Sequence, residues 1–399
     1  MIIQVILAML SGIFIGIITG LTPGIHINMA SLLVLSLSPI LMMKFSIEPL
    51  SMAIFIIAMG VTHTFLDALP SIFLGAPDEA TALGVLPGHR YLLNGNGLMA
   101  VKLFTIGSFF GLIFGIMIFP LLYLITKYSY DFFNDFFAWI LIFVILFMIY
   151  RDNKKLWSVF IVVLSGIFGL IVFNTNLKDP LFPMLSGLFG LSTLIISYFD
   201  NNNIPKQNIM DTTIIERKKT LFSIIAGNIG SFIVSTFPGL SSSIAAVMSM
   251  QVIKNIGDKG FMILLGCIGT SSFILSLVAL YTIEKARNGA VIVISKLISI
   301  DLGVLLILLT VALITGAVSV ILSLWIGRIF SRLITVINYK ILVVCIIALV
   351  TSLVIIMTSW LGLLVLIVST SIGLIPGIVK IQRTHSMACI MIPVIVYLI

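Results

Sequence analysis

The chain has 399 residues, 60% hydrophobic and only 9% charged, with 22 Lys and Arg against 14 Asp and Glu for a net charge of +8. Its mean hydropathy is +1.27, far outside the range of soluble domains, in which about a quarter of residues are charged. This composition excludes a soluble enzyme, and in so apolar a chain the basic excess is a topology signal rather than a nucleic-acid footprint.

In chain order, residues 1–43, 103–126, 136–150, 156–177, 181–199, 220–253, 260–283, 302–327 and 341–379 contain no Lys, Arg, Asp or Glu. A bilayer-spanning helix needs about 20 apolar residues, so the longest runs hold two spans and the chain about ten to twelve. The pattern predicts an all-α, multi-pass protein of the cell membrane; a membrane β-barrel would show short alternating segments instead. Residues 1–20 lack a basic leader and run on into apolar sequence, which reads as a retained first helix rather than a cleaved signal. Cys267, Cys345 and Cys389 lie in or beside apolar runs without metal-ligand spacing and read as buried packing residues. The basic loops "RDNKK" (151–155) and "ERKK" (216–219) are separated by two spans and so can share one side, read as cytoplasmic. The loop 328–340, with Arg328, Arg332 and Lys340, would be a third on that side.

The most polar stretch, 200–219, divides a first membrane repeat (1–199) from a second (220–399) and reads as a cytoplasmic linker. "GIITGLTPGIHINMASLL" (16–33) carries Pro23-Gly24, and "GSFIVSTFPGLSSSIAAVM" (230–248) carries Pro238-Gly239. Downstream, "AMGVTHTF" (58–65) is echoed by "CIGTSSF" (267–273) at nearly the same offset. Two pseudo-symmetric repeats with broken or re-entrant helices are therefore expected. Proline removes an N–H and glycine tolerates unusual angles, so each pair ends a helix. Within a bilayer the freed backbone groups need protein or a water-filled cavity. A third pair, Pro376-Gly377, is followed by Lys380 and Arg383 and reads as a surface turn with basic anchors.

Between Thr62 and Gly97, Pro70, Pro77 and Pro87 argue against one straight span and for a re-entrant pair of short helices. "APDEATAL" resembles a helix start, where acidic residues complement the helix dipole. Alternatively Asp67, Asp78 or Glu79 lines a cavity and binds a coupling Na+ or carries H+, because ionisable groups at membrane depth usually face a pathway. His63 and Asp67, at i and i+4, can share a helix face and a proton. The ion-coupling candidates are thus His63, Asp67, Asp78 and Glu79.

The half-helices after Pro23-Gly24 and Pro238-Gly239 would present bare N–H donors to an oxyanion. Thr22, His26, Asn28 and Ser31 surround the first break, and Ser235, Thr236 and Ser241 to Ser243 the second. Such residues hydrogen-bond an anion or simply ease helix packing. Arg287 or Arg90, if turned inward, would pair with an anionic substrate. No phosphate-binding loop, zinc constellation or hydrolytic triad occurs, so neither an enzyme nor a cofactor is expected.

"GIITGLTPGIHINMASLL", "SIFLGAPDEATALGVLPGHRYLLNGNG", "STFPGLSSSIAAVM" and "EKARNGAVIVISKLI" resemble the large membrane subunit of tripartite tricarboxylate transporters, the TctA-like permeases, and particularly their shorter archaeal relatives. The resemblance spans about 16–97 and 227–298, with the element at 373–393 also familiar. It implies ion-driven uptake of an organic anion, with substrate roles for Thr22, Pro23, Gly24, Ser235, Thr236, Pro238 and Gly239. It also implies an extracytoplasmic binding protein and a small membrane subunit as partners. A carrier of polyprenyl phosphate or another lipid phosphate is the alternative function; a non-transporting scaffold or intramembrane enzyme is the third.

Overall fold

The computed structural model describes residues 2–22, 27–75, 83, 85–177, 179–199, 204–209, 216–236, 242–253, 256–284, 286, 288–335 and 339–399. All their regular structure is helical. The first half holds α1 (Ile2–Leu21), α2 (Ile27–Phe45), α3 (Pro49–Leu66), α4 (Val85–Leu93), α5 (Gly97–Arg151), α6 (Lys155–Phe173), α7 (Leu181–Leu185) and α8 (Ser192–Phe199). The second holds α9 (Arg217–Thr236), α10 (Ser242–Val252), α11 (Gly257–Ile283), α12 (Gly289–Leu297), α13 (Leu302–Leu333), α14 (Tyr339–Val379) and α15 (Ala388–Leu398). Among the described residues, seven helices are long and apolar enough to cross a membrane, and four shorter apolar ones accompany them. One of the seven, α14, is two helical halves meeting at Ser359, whose φ of 62° lies in the left-handed region. Lys340 in its first half lies over the Tyr198 ring and Gly377 in its second abuts Ile196, so the halves fold back on each other beside α8. The seven stand against an expected count of about ten to twelve segments; the four shorter apolar helices fall below the length of a full span.

Local chemistry sets the helix ends. Pro49 opens α3 after an extended Glu48, where its missing N–H has no partner to lose. The Asp301 carboxylate accepts from the Val304 N–H at 2.8 Å and caps α13. Pro70, expected to interrupt a straight span, does not: it opens a π-helical turn, Pro70–Leu74, and Pro49–Leu74 remains one continuous 26-residue apolar rod. The wider π turn accommodates the residue that an α-helix interior rejects. Pro87 sits in the first turn of α4, where proline is tolerated. Pro77 lies outside the described residues. A straight α5 of 55 residues would be about 80 Å long. Its first residue, Gly97, nonetheless meets Gln207 and Leu92, and its last, Arg151, lines the same cavity as Arg90. The run therefore doubles back between its apolar stretches Gly97–Tyr128 and Ala138–Arg151.

At the centre stand α3 and α11, buried along almost their whole length, whereas the other spans expose one side. Glycines allow the close approach. Gly12, Gly16 and Gly20 of α1 meet Phe55, Met59 and His63 of α3 in ascending order, so those helices are parallel. Gly107 and Gly111 of α5 meet Ile263 and Cys267 of α11, also in parallel. Gly227 and Ser231 of α9 likewise follow α11 upward, meeting Cys267 and Ile268. Between α3 and α11 the order reverses: Gly60 meets Phe273, and Thr64 meets Thr270. Helices spaced by small residues pack backbone to backbone in lipid, which offers no hydrophobic force between them. The large apolar side chains left exposed, such as Phe14, Met117, Trp325 and Trp360, suit contact with acyl chains.

One end of the molecule collects the basic loops. Arg90 pairs with Asp258, the Asn208 N–H donates to Gly95 O, and Glu216 and Lys219 share a pocket with Gly257 to Gly260. Arg151 lines the neighbouring cavity with Arg90 and Asp258. Loops 151–155 and 216–219 thus sit together at one end of the molecule. Three expectations are corrected. Pro376-Gly377 is not a surface turn: α14 continues through it to Val379. Arg383 is not a surface anchor but a buried side chain, its guanidinium donating to the Ser192 and Thr193 hydroxyls. Cys345 is exposed, whereas Cys267 and Cys389 are buried.

Asp152 ties the turn after α5 to the chain's last segment. Its carboxylate accepts from the Lys154 N–H at 3.0 Å, the His385 Nε2 at 2.9 Å and the Gln382 N–H at 3.4 Å. Burial pushes this carboxyl up, but the Lys154 N–H, the His385 imidazole and the Gln382 N–H together hold it below the usual carboxylate range.

Two outcomes are expected in thermal unfolding followed by size-exclusion chromatography. Gly107→Val and Gly266→Val, whose added carbons collide with backbone of Ile263 and Phe104, each lose about 1–3 kcal/mol. Gly269→Ala, which no described residue crowds, leaves the midpoint unchanged. The Asp152 contribution is fully present above the ordinary carboxylate pKa of about 3.9 and is lost as pH falls through its lower folded value. Asp152→Asn should flatten that acid limb.

Candidate functional site

Thr270 is the central residue of α11, and Thr64 lies near the middle of the Pro49–Leu74 rod. At about 1.5 Å per residue the 27-residue α11 is about 40 Å long, a full membrane thickness with its interfaces. The Thr270 hydroxyl donates to Thr64 Oγ1 at 3.2 Å, so the two central helices cross through a polar contact at mid-depth. Thr64 in turn donates to Val61 O at 2.9 Å, satisfying its proton within the helix.

Described helix ends flanking both Pro-Gly pairs, which themselves lie outside the described residues, border this crossing. Helix α1 stops at Leu21, just before Pro23-Gly24, and α2 resumes at Ile27; α9 stops at Thr236, just before Pro238-Gly239, and α10 resumes at Ser242. In the last turn of α1, Thr19 Oγ1 shares a hydrogen bond with His63 Nδ1 at 3.2 Å, one residue from Thr64. At the start of α10, Ser242 Oγ lies 3.5 Å from Ser272 Oγ, two residues from Thr270. A belt of short hydroxyls, one imidazole and, a turn further on, the buried carboxylate of Asp67 therefore runs from the last turn of α1 to the start of α10. Asp67 closes α3, its N–H donating to His63 O at 2.9 Å. Hydroxyls and imidazole can donate to an anion, and a carboxylate at membrane depth can hold a cation or proton.

His63 bonds Thr19 beside the crossing and Asp67 lies one turn further along the same rod, while Thr22, Ser235 and Thr236 sit at the last described positions before the Pro-Gly pairs. Ser235 Oγ is engaged with Phe232 O at 2.9 Å and Ser31 Oγ with Ile27 O at 2.8 Å. Asn28 serves the packing of its neighbours, since its Oδ1 accepts the Ala290 N–H at 3.0 Å and, with Asn288, caps α12. Arg90 does not turn inward. It is largely exposed and pairs with Asp258 at 3.2 Å. Pro23, Gly24, His26, Pro238, Gly239, Ser241, Arg287, Asp78 and Glu79 lie outside the described residues.

Sequence reading missed three buried hydroxyls. Thr315, Ser319 and Ser323 recur every fourth residue along α13, and Ser319 donates to Thr62 Oγ1 at 3.3 Å while Ser323 donates to Phe65 O at 3.4 Å. That spacing marks one polar helix face. The Asn228 amide nitrogen on α9 donates to Ile224 O and Cys267 Sγ, and its buried oxygen has no hydrogen-bond partner among the described residues.

These features define the class: a polytopic helical membrane protein built around a polar belt at mid-depth. Residues 6–388 match the model of the tripartite tricarboxylate transporter TctA family, and the chain belongs to it. That family supplies a membrane component of tricarboxylate transporters. The chain is similar to an uncharacterized protein of Methanocaldococcus jannaschii, 30% identical over 348 residues, covering 84% of this chain and 83% of that one. No solved structure matches the chain.

The Thr64–Thr270 contact can be measured. A double-mutant cycle with Thr64→Val and Thr270→Val should give a coupling of about 0.6 kcal/mol, the ordinary size for an interhelical hydrogen bond in a membrane. Unfolding in mixed micelles reads it.

Proposed function

We propose that the chain is an ion-coupled secondary transporter of an organic anion of the di- or tricarboxylate class. The anion is held between the two Pro-Gly breaks, on Thr22, Ser235, Thr236 and the backbone N–H groups that follow Pro23-Gly24 and Pro238-Gly239. The carrying observation is the Thr64–Thr270 crossing at mid-depth, with Thr19–His63 on the side of one break and Ser242–Ser272 on that of the other. Interrupted helices that meet near the midplane are the usual way a transporter supplies backbone donors where lipid supplies none.

The helix directions support an inverted repeat. Within each half the helix before the break runs parallel to the helix after the return, α1 with α3 and α9 with α11, and the two central helices oppose each other. Residues 1–199 and 220–399 then face each other across the belt and rock about it, exposing the anion to one side at a time. Asp67, with His63 a turn away, carries the coupling Na+ or H+. Asp78, Glu79 and Arg287 belong to the stretches that join α3 to α4 and α11 to α12, and they complete the site in this reading. As for other tripartite systems, an extracytoplasmic binding protein would deliver the anion and a small membrane subunit would accompany this chain.

The test is citrate uptake into proteoliposomes under an imposed Na+ or pH gradient. Uptake should follow one gradient, lose that dependence in Asp67→Asn, and disappear in Gly24→Val and Gly239→Val while the protein stays monodisperse. Uptake that ignores both gradients, or an unaltered ion dependence in Asp67→Asn, rejects the coupling; full uptake in both glycine variants rejects the breaks as the site.

A further inference from the structure

A cavity of about 360 Å³ opens at the basic end, away from the mid-depth belt. Leu83, Pro87 and Phe189 line it together with three arginines, Arg90, Arg151 and Arg383. Among the described residues a single carboxylate, Asp258, lines it as well, and Arg90 already holds that group at 3.2 Å. Arg151 is exposed at the mouth, its guanidinium over the Phe147 ring at 5.9 Å.

Arg383 is the unusual member. Its side chain is 9% exposed, its hydrogen-bond acceptors are the neutral Ser192 and Thr193 hydroxyls, and no described carboxylate lies within ion-pair distance. Guanidinium does not discharge, so burial cannot be relieved by losing a proton. A charge taken out of water without a counter-charge is costly. The cost is offset when an anion enters the adjoining space, and the fork of Arg matches carboxylate and phosphate oxygens two at a time. The volume falls in the range of small-molecule sites, about 300–1,000 Å³.

We propose that this cavity is a second anion site, for a small polyanion bearing two or more carboxylate or phosphate groups. It is also the station at which the transported anion meets the basic side of the membrane, a role that rests on the transport reading above.

A local readout separates this site from the mid-depth one. Gln382 is exposed and lines the cavity. In a Cys345→Ser background, Gln382→Cys supplies a thiol whose modification by a maleimide is timed in the full-length protein, with citrate or inorganic phosphate added at constant ionic strength. Citrate should slow the reaction saturably, and Arg151→Gln and Arg383→Gln should each raise the half-protecting concentration by about tenfold or more. Arg328→Gln, exposed elsewhere on the chain, should leave it unchanged. Should Arg383→Gln fail to fold, Arg151→Gln at the mouth carries the test. No protection by either anion, or protection indifferent to both substitutions, overturns the site. Phosphate protecting as well as citrate keeps an anion site but overturns both its preference for polyanions and its role as a substrate station. Protection in a protein that moves no citrate in proteoliposomes removes the transport reading and the station with it, leaving the anion site itself.

Discussion

Everything in this molecule depends on α3 and α11 coming close enough to touch through their polar sides. Lipid gives two helices no reason to prefer each other over acyl chains, so association rests on close packing and hydrogen bonds. Glycine supplies the first: Gly60 lies against the Phe273 ring, and a side chain there would hold the central helices apart. Thr64 and Thr270 supply the second. The outer helices repeat the device, α1 laying Gly12, Gly16 and Gly20 on α3, and α5 laying Gly107 and Gly111 on α11. The central pair is therefore sheathed by protein, and polar groups can exist at its crossing without meeting lipid.

That sheath explains how a chain with so few charges can keep several of them inside. Asp67 is buried within the rod of α3, and Arg383 within a pocket between α8 and the segment after α14. Each would be prohibitive on a lipid-facing surface. They differ in their surroundings. Asp67 lies one turn beyond His63, which bonds the Thr19 hydroxyl, whereas Arg383 is grouped with two other arginines at the basic end. In the transport reading proposed above, the buried acidic group would hold a cation beside the path and the basic cavity at one end would attract the anion. The same low dielectric that penalises each group alone strengthens its pairing with a mobile partner.

The last segment shows a different use of polarity. Asp152 gathers two backbone N–H groups and the His385 imidazole, and Lys154 Nζ donates to Val379 O at 2.6 Å. These bonds fasten residues 379–385 to the turn between α5 and α6, more than two hundred positions earlier in the chain. Arg383 is thereby held against Ser192 and Thr193. The geometry of the cavity is thus set by hydrogen bonds that involve none of its arginine head groups except that one.

The sequence alone determined what a bilayer demands. Charge-free runs of the required length announced the helices and basic loops announced a shared end, because each is a local property of composition. His63 and Asp67 were legible for the same reason: a polar residue in an apolar run has few places to go. Tertiary structure decided the rest. Pro70 looked like a break until a π turn absorbed it, Pro376-Gly377 looked like a surface turn until α14 ran through it, and Arg383 looked like an interfacial anchor until Ser192 and Thr193 received it. Arg90 looked able to turn inward until Asp258 held it at the surface. For Arg383 and Arg90 the deciding partner lies far away in the chain, and no local rule of spacing or propensity can name it. The pairing of Thr64 with Thr270, and the opposed directions of the helices that carry them, are of the same kind.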